Sequence, residues 1–327
     1  MDTPLVSIII PAKNAESTIR KCLNSILRVD YHSYELIVID DGSTDNTSKI
    51  LSEYKDIKTI TTGGIGPSKA RNTAAKEAKG EYLAFTDADC VVDVNWLNEL
   101  LSGFKIFPDA AACGGRQELP QDASDFEKNV FIFMKKTGFI TEYMRKTDEN
   151  ATIEVNHNPS CNAIYSKSVF LRENGFLENL WPGEDVELDY RLRKKRYKLV
   201  FNPKAIVFHY RPKNMSEFSK MMFRYGKAQG FLVKKYGIFR MIHFAPLVLL
   251  SWVSLNIFGI LTYPYMAKIV FFFLTIIFLL SLIIITRAFI FKKKNIVLSV
   301  IFFIYSLANW NIGFVRGIAI KKYILIK

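Results

Sequence analysis

Residues 82–89 read YLAFTDAD, which is a run suited to a buried β-strand followed by two aspartates separated by one alanine. Asp87 and Asp89 repel each other, and placing two unpaired carboxylates at the end of a buried apolar strand is energetically costly. One of them could cap the helix that is predicted to begin near Asn95, but a cap accounts for a single carboxylate. Alternating carboxylates suit a hard divalent cation, Mg²⁺ or Mn²⁺. The pair therefore predicts a cation site at a strand end.

The chain upstream of this pair alternates between strand patterns and helix patterns. The strand patterns lie at 6–10, 35–40, 57–61 and 82–87, and the helix patterns lie at 17–27, 44–54 and 66–80. Apolar strands that alternate with helices predict a parallel sheet covered on both sides. The expected fold class is thus an α/β domain of the nucleotide-binding type, whose ligand lies outside the carboxyl ends of the strands.

Polar residues follow each of the four predicted strands. The four loops read PAKNAE, DDGSTD, GGIGPSKAR and DAD in chain order. Any one of them would fit an ordinary surface loop. Acidic residues at two strand ends, with Lys69 and Arg71 at a third, favour one composite binding site instead.

These four motifs, in this order, resemble the family 2 glycosyltransferases, which have the nucleotide-diphospho-sugar transferase (GT-A) fold. A fifth motif, WPGEDVELDYRLRKKRYKL at 181–199, resembles the acceptor-side motif of that family. The resemblance is close up to Cys90 and covers nearly all of 1–213, with 115–155 the least clear part. It implies a GT-A domain at 1–213 with a mostly parallel sheet flanked by helices.

The resemblance also implies roles for single residues. The donor-binding residues would be Pro11, Ala12 and Glu16 at the nucleoside, Asp40 and Asp41 at the base and ribose, Lys69 and Arg71 near the base or the diphosphate, and Asp87 at the ribose and sugar. Asp89 would be the principal ligand of Mn²⁺ or Mg²⁺, with Asp87 beside it. His209 follows the fifth motif at a distance that is typical of a metal-side histidine, and a structural role for it stays open.

The GED sequence at 183–185 offers two candidates for a catalytic base. Acidic residues are also favoured at a helix N-terminus by the helix dipole, and a helical pattern does follow. In the resembled family, an aspartate at this place deprotonates the acceptor, and the configuration of the sugar inverts. Asp185 is therefore the first candidate for the general base, and Glu184 is the second.

The C-terminal part of the chain is strongly apolar. Half of the 327 residues are hydrophobic, and runs at 241–263, 269–285 and 296–315 are about as long as a bilayer-spanning helix and contain no acidic residue. Buried core helices are the alternative. We expect an α-helical transmembrane domain at 241–327 with about three spans, preceded by amphipathic interface helices at 214–240. Gly313 and Gly317 predict close helix packing.

The formal net charge is +13, and basic residues gather beside the apolar runs, as at 194–198 and 292–294. This placement predicts a multi-pass membrane protein whose catalytic domain is cytoplasmic. No stacking motif or known module accompanies the charge, so nucleic-acid binding is not expected. The four cysteines lack paired spacing, so we expect neither a disulfide framework nor a cysteine metal site.

The predicted function is that of an inverting, metal-dependent glycosyltransferase. It would move one sugar from a UDP- or GDP-linked donor to a lipid-linked acceptor, either a polyprenyl or dolichyl phosphate or a lipid-linked glycan. Processive members of the resembled family carry a Gln-x-x-Arg-Trp motif, and the corresponding residues here are Met221, Arg224 and Tyr225. The missing Gln and Trp disfavour the alternative of a processive synthase. Arg224 remains a candidate for the diphosphate.

A catalytically silent protein that binds nucleotide sugars is a further alternative. The intact DAD and GED motifs, together with the basic pair Lys69 and Arg71, argue against it.

Overall fold

The structure is a computed structural model that describes residues 3–137, 151–244 and 296–321, with Ser254, Ile257 and Leu261 as isolated positions. The chain divides into two compact units. The first unit comprises 1–128, 138–211 and 324–327, and the second comprises 129–137 and 212–323.

The strands that the structure describes form one mixed sheet in the first unit. They are β1 (Val6–Ala12), β2 (Tyr34–Asp40), β3 (Lys58–Thr61), β4 (Tyr82–Thr86), β5 (Cys90–Val92), β6 (Ala110–Glu118), β7 (Ile153–Glu154), β8 (Asn162–Ser166) and β9 (Lys198–His209). Their order is β3-β2-β1-β4-β8-β6-β9-β5, and β7 pairs with β9 off this path.

The first four strands confirm the predicted parallel arrangement, because β1 pairs in parallel with β2 and β4, and β2 with β3. Beyond them the sheet is mixed. Strand β6 is parallel to β9, whereas β8 is antiparallel to both β4 and β6, and β5 and β7 are antiparallel to β9. An apolar run does not specify the direction of its strand, so the sequence pattern did not show the antiparallel members.

Helices of the first unit cover both faces of the sheet. The described helices are α1 (Ile19–Ile26), α2 (Thr47–Leu51), α3 (Pro67–Glu77), α4 (Trp96–Ile106), α5 (Asp125–Thr137), α6 (Lys167–Arg172), α7 (Glu184–Lys194), α8 (Met215–Tyr236), a 3₁₀ helix (Met241–Phe244) and α9 (Ile296–Ala319). Ile8 and Ile10 of β1 pack into one apolar layer with α1 and α4, whereas Ile9 packs into the opposite layer with α3 and α7. This two-residue period is that of a strand buried on both faces.

Glycines let α8 and α9 approach closely within the second unit. A Cβ atom at Gly226 would lie 1.9 Å from the carbonyl oxygen of Trp310, and one at Gly230 would lie 2.0 Å from that of Phe314. From the other side, Cβ atoms at Gly313 and Gly317 would meet carbonyl oxygens of α8 at 2.1 Å. The close packing predicted from the last two glycines is therefore confirmed.

The described residues do not support the predicted transmembrane domain. Within the described ranges, no helix combines the length and the apolar character that crossing a membrane requires. The third predicted span, 296–315, falls on α9, where Asn309, Asn311 and Arg316 interrupt the apolar residues. The second span, 269–285, and most of the first, 241–263, lie outside the described residues.

Candidate active site

The loops after β1, β2, β3 and β4 share one edge of the sheet. Ala12, the last residue of β1, pairs with Asp40, the last of β2, which pairs with Thr61, the last of β3. The first two loops are also joined directly, because the backbone N–H of Asn14 donates to Ser43 Oγ at 3.0 Å. The carboxyl ends of parallel strands thus bring together the loops that the sequence singled out.

The residues predicted at the nucleoside lie on these first two loops. Pro11 and Ala12 end β1. Glu16 follows them and accepts two hydrogen bonds from Asn46 in the second loop, at 3.0 Å from its backbone nitrogen and 2.9 Å from its Nδ2. Asp40 is 2% exposed, and its Oδ1 accepts a backbone N–H of its own loop at 3.0 Å. The structure therefore places these four residues around one end of the edge.

Asp41 holds the third loop in place. Its Oδ1 accepts hydrogen bonds from Thr62 Oγ1 and from the backbone N–H of Ile65, both at 2.6 Å. Its Oδ2 accepts the N–H of Gly66 at 2.8 Å. Both oxygens are thus engaged within the protein, and the contact of Asp41 with the base or ribose stays a prediction.

The predicted basic pair separates on α3, where Lys69 is exposed and Arg71 is buried. The guanidinium of Arg71 donates to Glu184 Oε1 at 2.9 Å and to Asp87 Oδ1. Burial opposes its charge, but Asp87 and Glu184 raise the pKa of Arg71 above its ordinary value. Arg71 therefore ties the aspartate after β4 to the start of α7, and we call Arg71, Asp87 and Glu184 the sealed cluster.

Glu184 is a buried acid within the sealed cluster. Burial and the neighbouring charge of Asp185 raise the pKa of Glu184 to about 8, although Arg71 opposes the shift. With a proton on Glu184, the cluster contains one positive charge on Arg71 and one negative charge on Asp87. Such a neutral arrangement lowers the cost of removing charges from water.

Asp185 is less enclosed than Glu184 and is positioned by Ser160. Asp185 Oδ2 accepts the N–H of Ser160 at 3.1 Å, and its Oδ1 accepts the N–H of Val186 at 2.8 Å. Ser160 Oγ donates to Glu184 Oε1 at 3.1 Å. Ser160 thus contacts both candidates for the base, and no sequence motif marks it.

Asp189 fixes the segment that leads to Ser160. Its Oδ2 accepts the N–H of Asn158 at 2.7 Å and lies 2.9 Å from Nδ1 of His157. Its Oδ1 accepts the hydroxyl of Tyr165 at 3.0 Å. A signal for this role was present in the sequence, because Asp189 is an acidic residue inside the apolar face of α7.

The other end of the site consists of Asp87, Asp89 and His209. Asp89 Oδ1 lies 3.4 Å from His209 Nε2, and one ligand atom from each of the three residues lies within 4.8 Å of the others. The helix after this loop begins beside Asp93, whose Oδ1 accepts the N–H of Asn95, so capping does not explain the aspartates. Two carboxylates and an imidazole suit a hard divalent cation, so this donor set fits Mn²⁺ or Mg²⁺.

Asp89 and His209 shift each other's pKa. Burial is the largest influence on His209 and lowers its pKa, but the charge and hydrogen bond of Asp89, together with Cys161, outweigh it and raise the pKa of His209 to about 10. Partial loss of solvent opposes the charge of Asp89, but the charge of His209 and its hydrogen bond lower the pKa of Asp89 below its ordinary value. The two form an ion pair, and the imidazole must lose its proton in order to ligate a cation.

Arg224 lies on α8 in the second unit. Its contact with a diphosphate stays a prediction.

A comparison with protein families identifies the chain's relatives. The model of the family described as Glycosyl transferase family 2 matches residues 7–172, slightly more than half of the 327-residue chain.

Two curated relatives differ in how much of their length this chain spans. Poly-beta-1,6-N-acetyl-D-glucosamine synthase of Staphylococcus epidermidis is 26% identical over 230 residues, which is 69% of this chain and 54% of the synthase. Dolichyl N-acetyl-alpha-D-glucosaminyl phosphate 3-beta-D-2,3-diacetamido-2,3-dideoxy-beta-D-glucuronosyltransferase of Methanococcus voltae is 25% identical over 279 residues, which is 81% of this chain and 85% of that enzyme. The chain thus spans about half of the first relative and most of the second.

A solved structure shares the fold. The mannosyltransferase from Pyrobaculum calidifontis, in complex with GDP-Man and Mn²⁺, has a TM-score of 0.67 at 17% sequence identity, and the match covers 98% of this chain and 89% of the other. Together with the family match, this likeness shows the α/β GT-A fold with a mixed sheet.

Proposed function

The chain belongs to glycosyl transferase family 2, and from that premise we propose that it transfers a single sugar from a nucleotide-diphosphate sugar to a lipid-linked acceptor, with inversion at the anomeric carbon. The observation that carries the proposal is the group of Asp87, Asp89 and His209 at the carboxyl edge of the sheet. Beside it lie the loops after β1 and β2 on one side and the partly exposed Asp185 on the other. These three features would supply the donor site, the cation site and the base.

The nucleoside would bind between the first two loops, against Pro11, Ala12, Glu16 and Asp40. The hydrogen bonds that join these loops hold the pocket in shape before the donor arrives. Preorganisation of this kind reduces the ordering that binding requires. A UDP-linked and a GDP-linked donor both suit these loops, and the Pyrobaculum neighbour binds GDP-Man.

Asp89 would be the main ligand of the cation, with Asp87 and His209 beside it. Bound Mn²⁺ or Mg²⁺ would neutralise the negative charge that develops on the diphosphate leaving group. Arg71 contributes indirectly, because its ion pair with Asp87 fixes one of the carboxylates that face the cation. Lys69 and Arg224 remain candidates for a direct contact with the diphosphate.

We assign the general base to Asp185 rather than Glu184. A base needs an ionised carboxylate that the acceptor hydroxyl can reach. Glu184 is 2% exposed, and its raised pKa favours the protonated form at neutral pH. Asp185 is partly exposed, and the N–H of Ser160 holds one of its oxygens in a defined direction. Deprotonation of the acceptor by Asp185 from the face opposite the leaving group would invert the anomeric configuration.

The acceptor would be a lipid-linked phosphate or glycan at the cytoplasmic face of a membrane. The Methanococcus voltae relative, whose name describes a dolichyl-linked acceptor, supports this class. The apolar runs and the basic residues of the sequence also support a membrane location.

A processive synthase is the second candidate, since the Staphylococcus epidermidis relative is a polysaccharide synthase. The residues Met221, Arg224 and Tyr225, in place of the processive motif, favour single transfer. Product length separates the two candidates.

The test is a screen of radiolabelled UDP- and GDP-sugars with membranes that contain the full chain, followed by extraction of lipid products. We expect one labelled sugar on a lipid, dependent on Mn²⁺ or Mg²⁺ and lost on chelation. A long polymer would favour the synthase. Donor binding without any transfer would favour a catalytically silent protein.

A further inference from the structure

Two cysteines meet His209 beside the proposed cation site. Cys90, the first residue of β5, pairs in register with His209, the last residue of β9, so both side chains leave the same face of the sheet. Cys161 comes from the turn before β8. One ligand atom from each of the three residues lies within 4.8 Å of the others. Both thiols are buried, and neither is part of a disulfide.

One nitrogen of His209 has no assigned contact. Its Nε2 faces Asp89, whereas its Nδ1 is buried and lacks a hydrogen-bond partner within the part of the chain that the structure describes. An unsatisfied buried polar atom costs about 1–3 kcal/mol, so a ligand that paired with it would relieve that cost.

The ligand types point to a different cation from the one at Asp87 and Asp89. Two sulfur atoms and an imidazole nitrogen suit Zn²⁺ and other thiophilic cations, whereas carboxylates suit Mg²⁺ and Mn²⁺. Bond lengths of about 2.3 Å to sulfur and 2.0 Å to nitrogen place the ligand atoms of a tetrahedral Zn²⁺ roughly 3.5–3.8 Å apart. The observed separations, all within 4.8 Å, need to close by no more than about 1.3 Å.

We propose that Cys90, Cys161 and His209 form a second cation site, selective for thiophilic divalent cations such as Zn²⁺. Water or Asp89, whose Oδ1 lies 3.9 Å from Cys90 Sγ, would complete the coordination. The thiol protons pass to solvent when the cation binds. Because His209 is shared, a cation on its Nδ1 leaves the remaining proton on Nε2, which faces Asp89, so the imidazole can no longer ligate a cation at Asp87 and Asp89. Zn²⁺ would therefore inhibit transfer.

Cd²⁺ is the probe of choice, because its thiolate complexes absorb in the ultraviolet and its carboxylate complexes do not. Cd²⁺ is titrated into the full chain, kept reduced with a non-thiol phosphine. We expect the absorption to saturate at one equivalent in the wild type. Cys90→Ala and Cys161→Ala should each weaken binding by more than about tenfold, since even outer-shell partners contribute that much. Cys113→Ala removes another buried free cysteine and should bind as the wild type does.

A wild type without the absorption overturns the proposal, and so does absorption that persists when Cys90 and Cys161 are both alanine. If circular dichroism shows that an alanine variant is unfolded, Cys161→Ser takes its place, and the wild-type titration decides by itself whether the site exists.

A second arm tests the shared histidine and rests on the proposed function. Zn²⁺ should inhibit transfer by the wild type and by Cys113→Ala, and inhibition of Cys161→Ala should need at least about tenfold more Zn²⁺. Equal sensitivity would overturn the sharing of His209. An absence of transfer in every protein, with the Cd²⁺ absorption intact, would instead count against the proposed function and leave the cation site supported.

Discussion

The charged side chains at the two ends of the candidate site differ in their exposure to solvent. In the sealed cluster, the side chains of Arg71 and Glu184 are 2% and 3% exposed. At the other end, around Asp89 and His209, which we call the open end, the side chain of Asp89 is 48% exposed, although it too has a charged partner, His209. A buried ion pair must offset its own desolvation, so Arg71 and Glu184, the buried members of the sealed cluster, can do little more than fix the loops that they join. Asp89 keeps part of its surface free for a ligand, so burial, rather than residue type, separates the two roles.

The largest expected effect comes from Asp185, which sits beside Glu184 but is less buried. Asp185→Asn keeps the side-chain shape and removes the base, so the transfer rate should fall by about 10²–10⁴-fold. Steady-state kinetics should show the loss in kcat with little change in the KM for the donor. Glu184→Gln is the matched control and should lose far less, since Glu184 is already a neutral acid at pH 7. Equal losses of the transfer rate in Asp185→Asn and Glu184→Gln would contradict the assignment of the base to Asp185 rather than Glu184.

Breaking the sealed cluster should cost stability. Arg71→Met leaves Asp87 without its partner in a mostly enclosed position, so the free energy of unfolding should fall by about 3–5 kcal/mol. Chemical denaturation at pH 7 measures the change. A loss below about 1 kcal/mol would show that the cluster does not hold the loops together.

The sealed cluster should also make stability depend on pH. Because the folded protein retains a proton on Glu184 up to a pKa of about 8, while an unfolded glutamate loses it near its ordinary pKa of 4.5, the native state binds more protons between these values. Stability should therefore fall as pH rises from about 4.5 to 8, with a slope of up to about 1.4 kcal/mol per pH unit. Urea denaturation across this range should show a steeper slope in the wild type than in Glu184→Gln.

Lys69 gives the smallest expected effect and the matched control for Arg71, since both lie on α3 but only Arg71 is buried. Lys69→Met should change the free energy of unfolding by no more than about 0.5 kcal/mol. If Lys69 contacts the diphosphate, the donor should bind roughly fivefold more weakly, because an exposed ion pair contributes up to about 1 kcal/mol. A destabilisation as large as that of Arg71→Met would remove the distinction between buried and exposed charge.

The sequence predicted the parallel half of the fold because its signals are local. Apolar runs end at polar loops, and the carboxyl ends of parallel strands must share an edge. The placement of Asp40 and Asp87 along the same edge of the sheet therefore followed from the pattern alone. The antiparallel pairing of β8 with β4 did not follow, because it depends on chain direction after a long connection.

The sequence pattern could not predict which residues of the site are buried. Lys69 and Arg71 are equivalent basic residues in the sequence, and only the packing of α3 shows that one is enclosed. Ser160 acts largely through its backbone N–H, which every residue type except proline possesses. Cys90 and Cys161 are far apart in the chain. A cross-strand pairing brings Cys90 to His209, and the turn before β8 brings Cys161, so their spacing gave no sign of a cluster.

The central claim is that Asp89, at the open end, holds a divalent cation that the nucleotide needs. Calorimetric titration of UDP and GDP into the full chain, with and without Mn²⁺, tests it in the wild type and in Asp89→Asn. We predict that either UDP or GDP binds the wild type, and that it binds only when Mn²⁺ is present. Asp89→Asn should lose more than about tenfold of that affinity while the protein remains folded. Nucleotide binding that is equally tight without Mn²⁺, or unchanged in Asp89→Asn, would contradict it.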